Sequence, residues 1–207
     1  MTKELSKLEQ QIQKFMPFNE QEEHDKAILL KWFESGSDIL TRENEIAHLT
    51  ASAWVVSSDK KSVLMAYHNI YHSWAWLGGH ADGDADLHHV AQKEVMEESG
   101  LTHVKFLLDE PFSIEILSVD GHMKKGHYVS THLHLNVTYL MEADPKDAVQ
   151  NRPEENSAVA WIRVDQIAEK STEPWFVEHV YAKLCEKMQV KFRGRLSDLK
   201  FSEKGLK

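Results

Sequence analysis

A helix that carries its acids on its apolar side constrains this chain more than any other feature. Residues 86–99 have helical spacing, and Gly100 closes the run. At about 100° per residue, Glu94, Glu97 and Glu98 fall within one arc, and that arc continues the stripe begun by Leu87, Val90 and Ala91. His88, His89, Gln92 and Ser99 lie on the opposite side. A solvated acidic face normally points away from the core stripe, whereas here the acids lie along it. Three close carboxylates repel one another and drift toward protonation unless a counter-charge is supplied. A divalent cation resolves that conflict, and hard oxygen donors select Mg2+ or Mn2+. Helix geometry alone leaves a plainer alternative open, the acidic end of an ordinary amphipathic helix.

The surrounding pattern is mixed. Leu5, Leu8, Ile12 and Phe15 recur at helical spacing until Pro17 interrupts them. Asn19 with Glu22 resembles a capping box for a second helix, which Gly36 ends. Residues 49–57 and 62–67, joined by Ser57-Ser58-Asp59-Lys60, predict a β-hairpin. A short strand at 74–77 runs into Gly78-Gly79, and further strands are expected at 103–119, 127–141 and 158–164. Pro174 opens a last helix with the stripe Phe176, Val177, Val180, Tyr181, Leu184 and Met188. The order implies an α+β chain with a mixed sheet and an N-terminal helical extension. The expected divisions are 1–44 as that extension, 45–170 as the main domain, and 171–207 as a C-terminal helix with a solvated basic tail.

Composition narrows the class. The 207 residues suit one domain with an extension. The formal charge of −9 repels long polyanions, so a duplex nucleic acid is not an expected partner. A small phosphorylated molecule remains compatible, because a metal inverts the local sign of a site. No apolar run is long enough to span a bilayer, and the charged N-terminus lacks the apolar centre of a signal peptide. The single cysteine, Cys185, excludes an internal disulfide and a cysteine-rich zinc site. A cytoplasmic location without membrane attachment is expected. Residues 1–44 are expected to cover a sheet edge or to form a subunit contact, the latter giving a homodimer.

Gly79, five residues, Ala85, seven residues and then Lys93-Glu94-Val95-Met96-Glu97-Glu98-Ser99-Gly100-Leu101 resembles the Nudix box. The family pattern is G, five residues, E, seven residues, R-E-U-x-E-E-x-G-U, where U is a bulky aliphatic. Gly79, Glu94, Val95, Glu97, Glu98, Gly100 and Leu101 match at the right spacing, and the resemblance spans about residues 46–168. It implies an α/β/α sandwich and a Mg2+-dependent hydrolase that cuts a diphosphate bond in a small substrate. That substrate would be a nucleoside diphosphate linked to another group, or a nucleoside triphosphate. It further implies Glu94, Glu97 and Glu98 as catalytic metal ligands, with Gly79 supplying backbone geometry and a carbonyl. Two positions depart from the pattern: Ala85 replaces the early glutamate and Lys93 the arginine. In the family these two brace the loop against the helix, so Lys93 is expected to pair with Asp84 or Asp86 instead. Family members often add an acid from a late loop as ligand or base, and Glu155 in Arg152-Pro153-Glu154-Glu155-Asn156-Ser157 is the candidate.

The strand 131–139 alternates, with Leu133, Leu135, Val137 and Tyr139 on one face and His132, His134, Asn136 and Thr138 on the other. The polar face either meets solvent or lines a substrate cleft, in which case His132, His134 and Asn136 contact substrate. Trp74 and Trp76 pack in the core or stack on a base, with Trp76 taken as the base-stacking candidate. His80 and His89 flank the box as loop and helix surface. Two other functions share the fold. An isomerase of this kind needs a catalytic cysteine in the sheet region, and Cys185 comes too late. A non-catalytic nucleotide-binding sensor domain is the second alternative, against which the complete carboxylate set stands.

Overall fold

The computed structural model describes residues 3–124 and 126–192. The basic tail beyond residue 192 lies outside the described residues. The helices are α1 (Lys3–Lys14), α2 (Glu20–Glu34), α3 (Leu87–Ser99), α4 (Ile167–Lys170), α5 (Pro174–Phe176) and α6 (Ala182–Lys191). The strands are β1 (Ala47–Val56), β2 (Ser62–His68), β3 (Ser73–Ala75), β4 (Leu77–His80), β5 (Lys105–Phe106), β6 (Ser113–Val119), β7 (His122–Lys124), β8 (His127–Val129), β9 (His132–Glu142) and β10 (Asn156–Arg163). Two compact units result, and β1, β9 and α3 each run on from one into the other. Among the described residues, no helix is long and apolar enough to cross a membrane.

The first unit comprises residues 1–52, 78–91 and 108–139. Here β4 pairs with β1, and β6 pairs antiparallel with β9 in the register Glu115↔Asn136 and Leu117↔His134. The Leu133 N–H donates to the Ile46 carbonyl at 2.9 Å. In the second unit the Ala143 N–H donates to the Val56 carbonyl at 3.1 Å. The same sequence offset at both points means that β1 and β9 run parallel, which makes the sheet mixed.

α2 packs on β6 in the first unit, and the reason is legible residue by residue. Asn19 caps α2 by accepting from the Glu22 N–H at 3.0 Å, as the capping pattern predicts. The reciprocal bond is shifted one residue back, because the Glu22 carboxylate accepts from the Phe18 N–H at 2.8 Å. Its other oxygen accepts from Ser113 Oγ at 2.7 Å, and Glu22 is fully buried. Asp25 takes the Ile116 N–H at 3.2 Å. Leu8, Ile12, Leu29 and Phe33 are buried, so the N-terminal helices share in the core of this unit.

This packing corrects the expectation for the polar face of β9. Asn136 and Thr138 are buried. Asn136 Oδ1 accepts from Thr50 Oγ1 at 3.0 Å and Ser52 Oγ at 2.8 Å, while its Nδ2 donates to Glu115 at 2.8 Å and Thr138 Oγ1 at 3.1 Å. The amide thereby uses both lone pairs and both hydrogens inside the protein. Asn136 is thereby a structural hub of the first unit.

The second unit comprises residues 53–77, 92–107 and 140–207, with the strand order β10-β2-β1-β9-β5 and β3 beside β2. The predicted β1–β2 turn forms, with the Lys60 N–H bonded to the Ser57 carbonyl at 2.9 Å. The strand expected over 103–119 is broken around Pro111, which withholds a ladder hydrogen bond, into β5 and β6. Trp54 is fully buried against Tyr181 and donates its indole N–H to Met188 Sδ at 3.1 Å. The expected last helix is α5, a wider π turn over Val177–Tyr181, and α6. Val180, Tyr181, Leu184 and Met188 of its predicted stripe are buried.

The fold account is tested at Glu22. Replacing it with Ala strips an acceptor from the buried Ser113 hydroxyl and from the Phe18 N–H. We expect Glu22→Ala to lose about 1–3 kcal/mol in urea unfolding. Unchanged stability would mean that α2 is not held through its carboxylate.

Candidate functional site

The acids predicted on α3 cluster in its last two turns. Glu98 is buried, Glu94 is half-buried and Glu97 is exposed. Lys93 Nζ lies 3.8 Å from a carboxylate oxygen of both Glu94 and Glu97. Arg152 donates from one guanidinium nitrogen to Glu97 at 2.9 Å and to Glu155 at 3.4 Å. Glu97, Arg152 and Glu155 thus form a bridge between the helix and the loop before β10, and Glu97, Gly100 and Arg152 line a shallow pocket with Gln150, Asn151 and Pro153.

That loop is fixed by the helix end itself. The last carbonyls of a helix have no partner within it. Here the Gln150 N–H donates to the Ser99 carbonyl at 2.7 Å, and Asn156 Nδ2 donates to the Glu98 carbonyl at 3.1 Å. Asn156 Oδ1 also accepts the Arg152 N–H at 3.1 Å, which closes the loop around Arg152 and Glu155. Gly100 is required twice over. Its φ of +70° is left-handed, and a side chain there would begin 3.0 Å from Gln150 Cβ.

Glu94 is held above the ordinary carboxylate range. Burial is the largest cause; Lys93 opposes it, and the like charges of Glu97 and Glu155 reinforce it. Lys93 and Arg152 are the cations beside these acids. Carboxylate oxygens are the donors that suit a hard divalent ion such as Mg2+. Arg152 was not singled out from the sequence, since an arginine two residues before Glu154-Glu155 is unremarkable on a polar loop. Its role shows only once Asn156 and Gln150 fold that loop onto α3.

The bracing pair takes another form than the family pattern suggested. Lys93 has Glu94 and Glu97 as its ion-pair partners. Asp84 holds His89 Nδ1 at 2.8 Å, and Asp86 accepts the His89 N–H at 3.3 Å. The aspartates therefore organise the start of α3. Gly79 lies on β4. Its neighbour Gly78 is the glycine that packing demands, because a Cβ there would approach the Ala51 carbonyl to 2.5 Å. Trp76 is half-buried, edge-on to Phe176 and Tyr181, and Trp74 is edge-on to Tyr67.

A second group of titratable side chains gathers in the first unit. One nitrogen from each of His48, His80, His132 and His134 lies within 4.8 Å of the others. Burial pushes His80 down to about 3 and His134 down to about 2, with neighbouring cations and imidazoles adding to the effect. His48 is lowered by burial as well. His132 and His134 were visible in sequence as a polar pair on one strand face. His48 lies one residue before the strand expected at 49–57, so it was not singled out there.

The chain was compared with known proteins. The family model described as "NUDIX domain" matches residues 47–184. No curated protein matches the chain by sequence. A MutT protein from Methanosarcina mazei Go1 is 13% identical, with 72% of this chain and 98% of that chain covered at a TM-score of 0.51. The E. coli dihydroneopterin triphosphate pyrophosphohydrolase is 14% identical, with 69% and 95% covered at a TM-score of 0.51. At these identities the two structures establish a common fold. The matched region extends past β10 into the C-terminal helices, beyond the span visible in the motif.

The raised Glu94 has a consequence for stability. The folded chain retains a proton there that the unfolded chain has already lost. Stability should therefore fall as pH rises from the ordinary glutamate value through the raised one. Glu94→Gln has nothing to ionise and escapes this loss. In urea unfolding without metal, the wild type should lose ground to Glu94→Gln as pH is raised from acidic to neutral. Parallel pH profiles would show that Glu94 is not desolvated.

Proposed function

Because the chain belongs to the Nudix family, we propose that it is a divalent-metal-dependent hydrolase that cleaves a diphosphate bond. The substrate class is a nucleoside diphosphate linked to another group, or a nucleoside triphosphate. The observation that supports this reading is the acidic end of α3, where Glu98 is buried, Glu94 is raised by its burial, and Glu97 is joined through Arg152 to the loop bearing Glu155.

Glu94, Glu97 and Glu98 would hold Mg2+ or Mn2+. When bound, the metal neutralises charge on phosphoryl oxygens and lowers the pKa of water. Glu155 accepts the proton of the attacking water. Its carboxylate is 41% exposed, so it is open to solvent yet anchored by Arg152. Arg152 positions Glu155 and Glu97 together. Trp76 is the aromatic proposed to stack on a base. His132 and His134 are not retained as substrate contacts, since both turn toward the histidine cluster.

The test is a screen of diphosphate substrates with Mg2+, reading released phosphate with and without added phosphatase. Glu97→Gln and Glu98→Gln should each reduce kcat by about 100-fold or more, and excess EDTA should abolish turnover. Glu155→Gln should lower kcat while Mg2+ binding stays close to wild type. Full turnover in EDTA would contradict the metal role. Wild-type kcat in Glu155→Gln would move the base to Glu154 or into the helix.

A further inference from the structure

We propose that His48, His80, His132 and His134 form a second metal site, one that takes a transition metal of the zinc class and not Mg2+. The four come from β1, β4 and β9, so the site would tie three neighbouring strands of the first unit at one point.

Geometry is the first support. Two ligands of a tetrahedral zinc with Zn–N bonds of about 2.0–2.1 Å are separated by about 3.3–3.4 Å. His132 Nε2 and His134 Nε2 are 3.3 Å apart. The other ligand nitrogens lie within 4.8 Å of one another, so side-chain rotation of about an ångström would complete the set.

Proton placement is the second support. His132 Nδ1 is 2.8 Å from the Ser130 carbonyl, and His48 Nδ1 is 3.1 Å from the Asn44 carbonyl. A carbonyl only accepts, so each Nδ1 carries the hydrogen and each Nε2 presents a lone pair to the cluster. Backbone carbonyls fixing one nitrogen so that the other can ligate is the usual outer-shell arrangement around a metal-bound histidine. The consequence is a conflict within the bare protein. A hydrogen on His134 Nε2 could satisfy His132 Nε2, yet His48 Nε2 is still buried without a hydrogen-bond partner among the described residues. A cation at the centre satisfies every inward lone pair at once.

Donor chemistry is the third support. Four imidazoles with no carboxylate or thiolate suit zinc, copper or nickel and are poor ligands for Mg2+. Asp82, the acid whose charge acts on His48, is engaged by Arg42 in a two-pronged pair at 2.7 and 2.6 Å. Four protein ligands also complete a tetrahedron, which is the pattern of a structural site with no position left for water. The assignment is independent of the diphosphatase reading, because it uses none of Glu94, Glu97 and Glu98.

The full chain, stripped with chelator and dialysed, is titrated with Co2+ as a spectroscopic probe and then with Zn2+. One equivalent of Co2+ should give the intense visible absorption of a tetrahedral nitrogen site. Zn2+ should bleach it, and a large excess of Mg2+ should not. His134→Gln should remove the band and weaken Zn2+ binding by more than about 100-fold, while Glu97→Gln keeps both. Loss of the band in Glu97→Gln, with retention in His134→Gln, would place the metal at the carboxylates and overturn the proposal. A wild type that shows only the weak absorption of octahedral Co2+ would equally overturn it, leaving a cluster held by protons alone. Should His134→Gln fail to fold, long-range 1H–15N spectra of the wild type decide. Zn2+ must shift the ligating nitrogens of four imidazoles, and unshifted signals refute the site.

Discussion

The structure depends on a concentration of negative charge at the wrong end of a helix. The C-terminal end of a helix is its negative pole, where acids are disfavoured and cations favoured. α3 ends on Glu97 and Glu98 with no basic residue in its last turn. Lys93 stands one turn before Glu97, but a lysine preceding a glutamate is the weaker order for such a pair. Burial of Glu98 and partial burial of Glu94 sharpen the conflict. A chain that breaks three local rules at one place does so at a functional site more often than by accident.

Much of the second unit around this helix serves to hold that conflict in place. Gly100 turns the chain sharply and lets Gln150 approach. Gln150 and Asn156 take up the exposed carbonyls of the helix end, and in doing so they fix Arg152 and Glu155. One set of backbone constraints thus terminates the helix and positions the proposed base. In the first unit the principle differs. There the buried Glu22, Glu115 and Asn136 are hydrogen-bonded to hydroxyls and amides.

How much could be read beforehand depended on whether the signal was local. The arc of Glu94, Glu97 and Glu98, the Asn19 cap and the Ser57–Lys60 turn rest on contacts within a few residues, and all three appear in the structure. The burial of Asn136 is not legible in sequence, because period-two alternation reports which residues share a face and not what covers that face. α2 covers β6 beside it, and no local pattern announces a helix from a distant part of the chain. Arg152 and His48 were missed for the same reason, since each acts through partners far away in sequence. Lys93 was assigned to the aspartates by analogy with a family pair, whereas Asp84 and Asp86 are used locally to start the helix.

The central claim is that the acids of α3 await a hard divalent cation. Electron paramagnetic resonance of Mn2+ titrated into the full chain, with Zn2+ already present to occupy any imidazole site, measures that binding directly. The account predicts a saturable loss of the free-ion signal that Mg2+ reverses by competition and that Glu98→Gln abolishes. A Glu98→Gln protein that binds Mn2+ as the wild type does would contradict it.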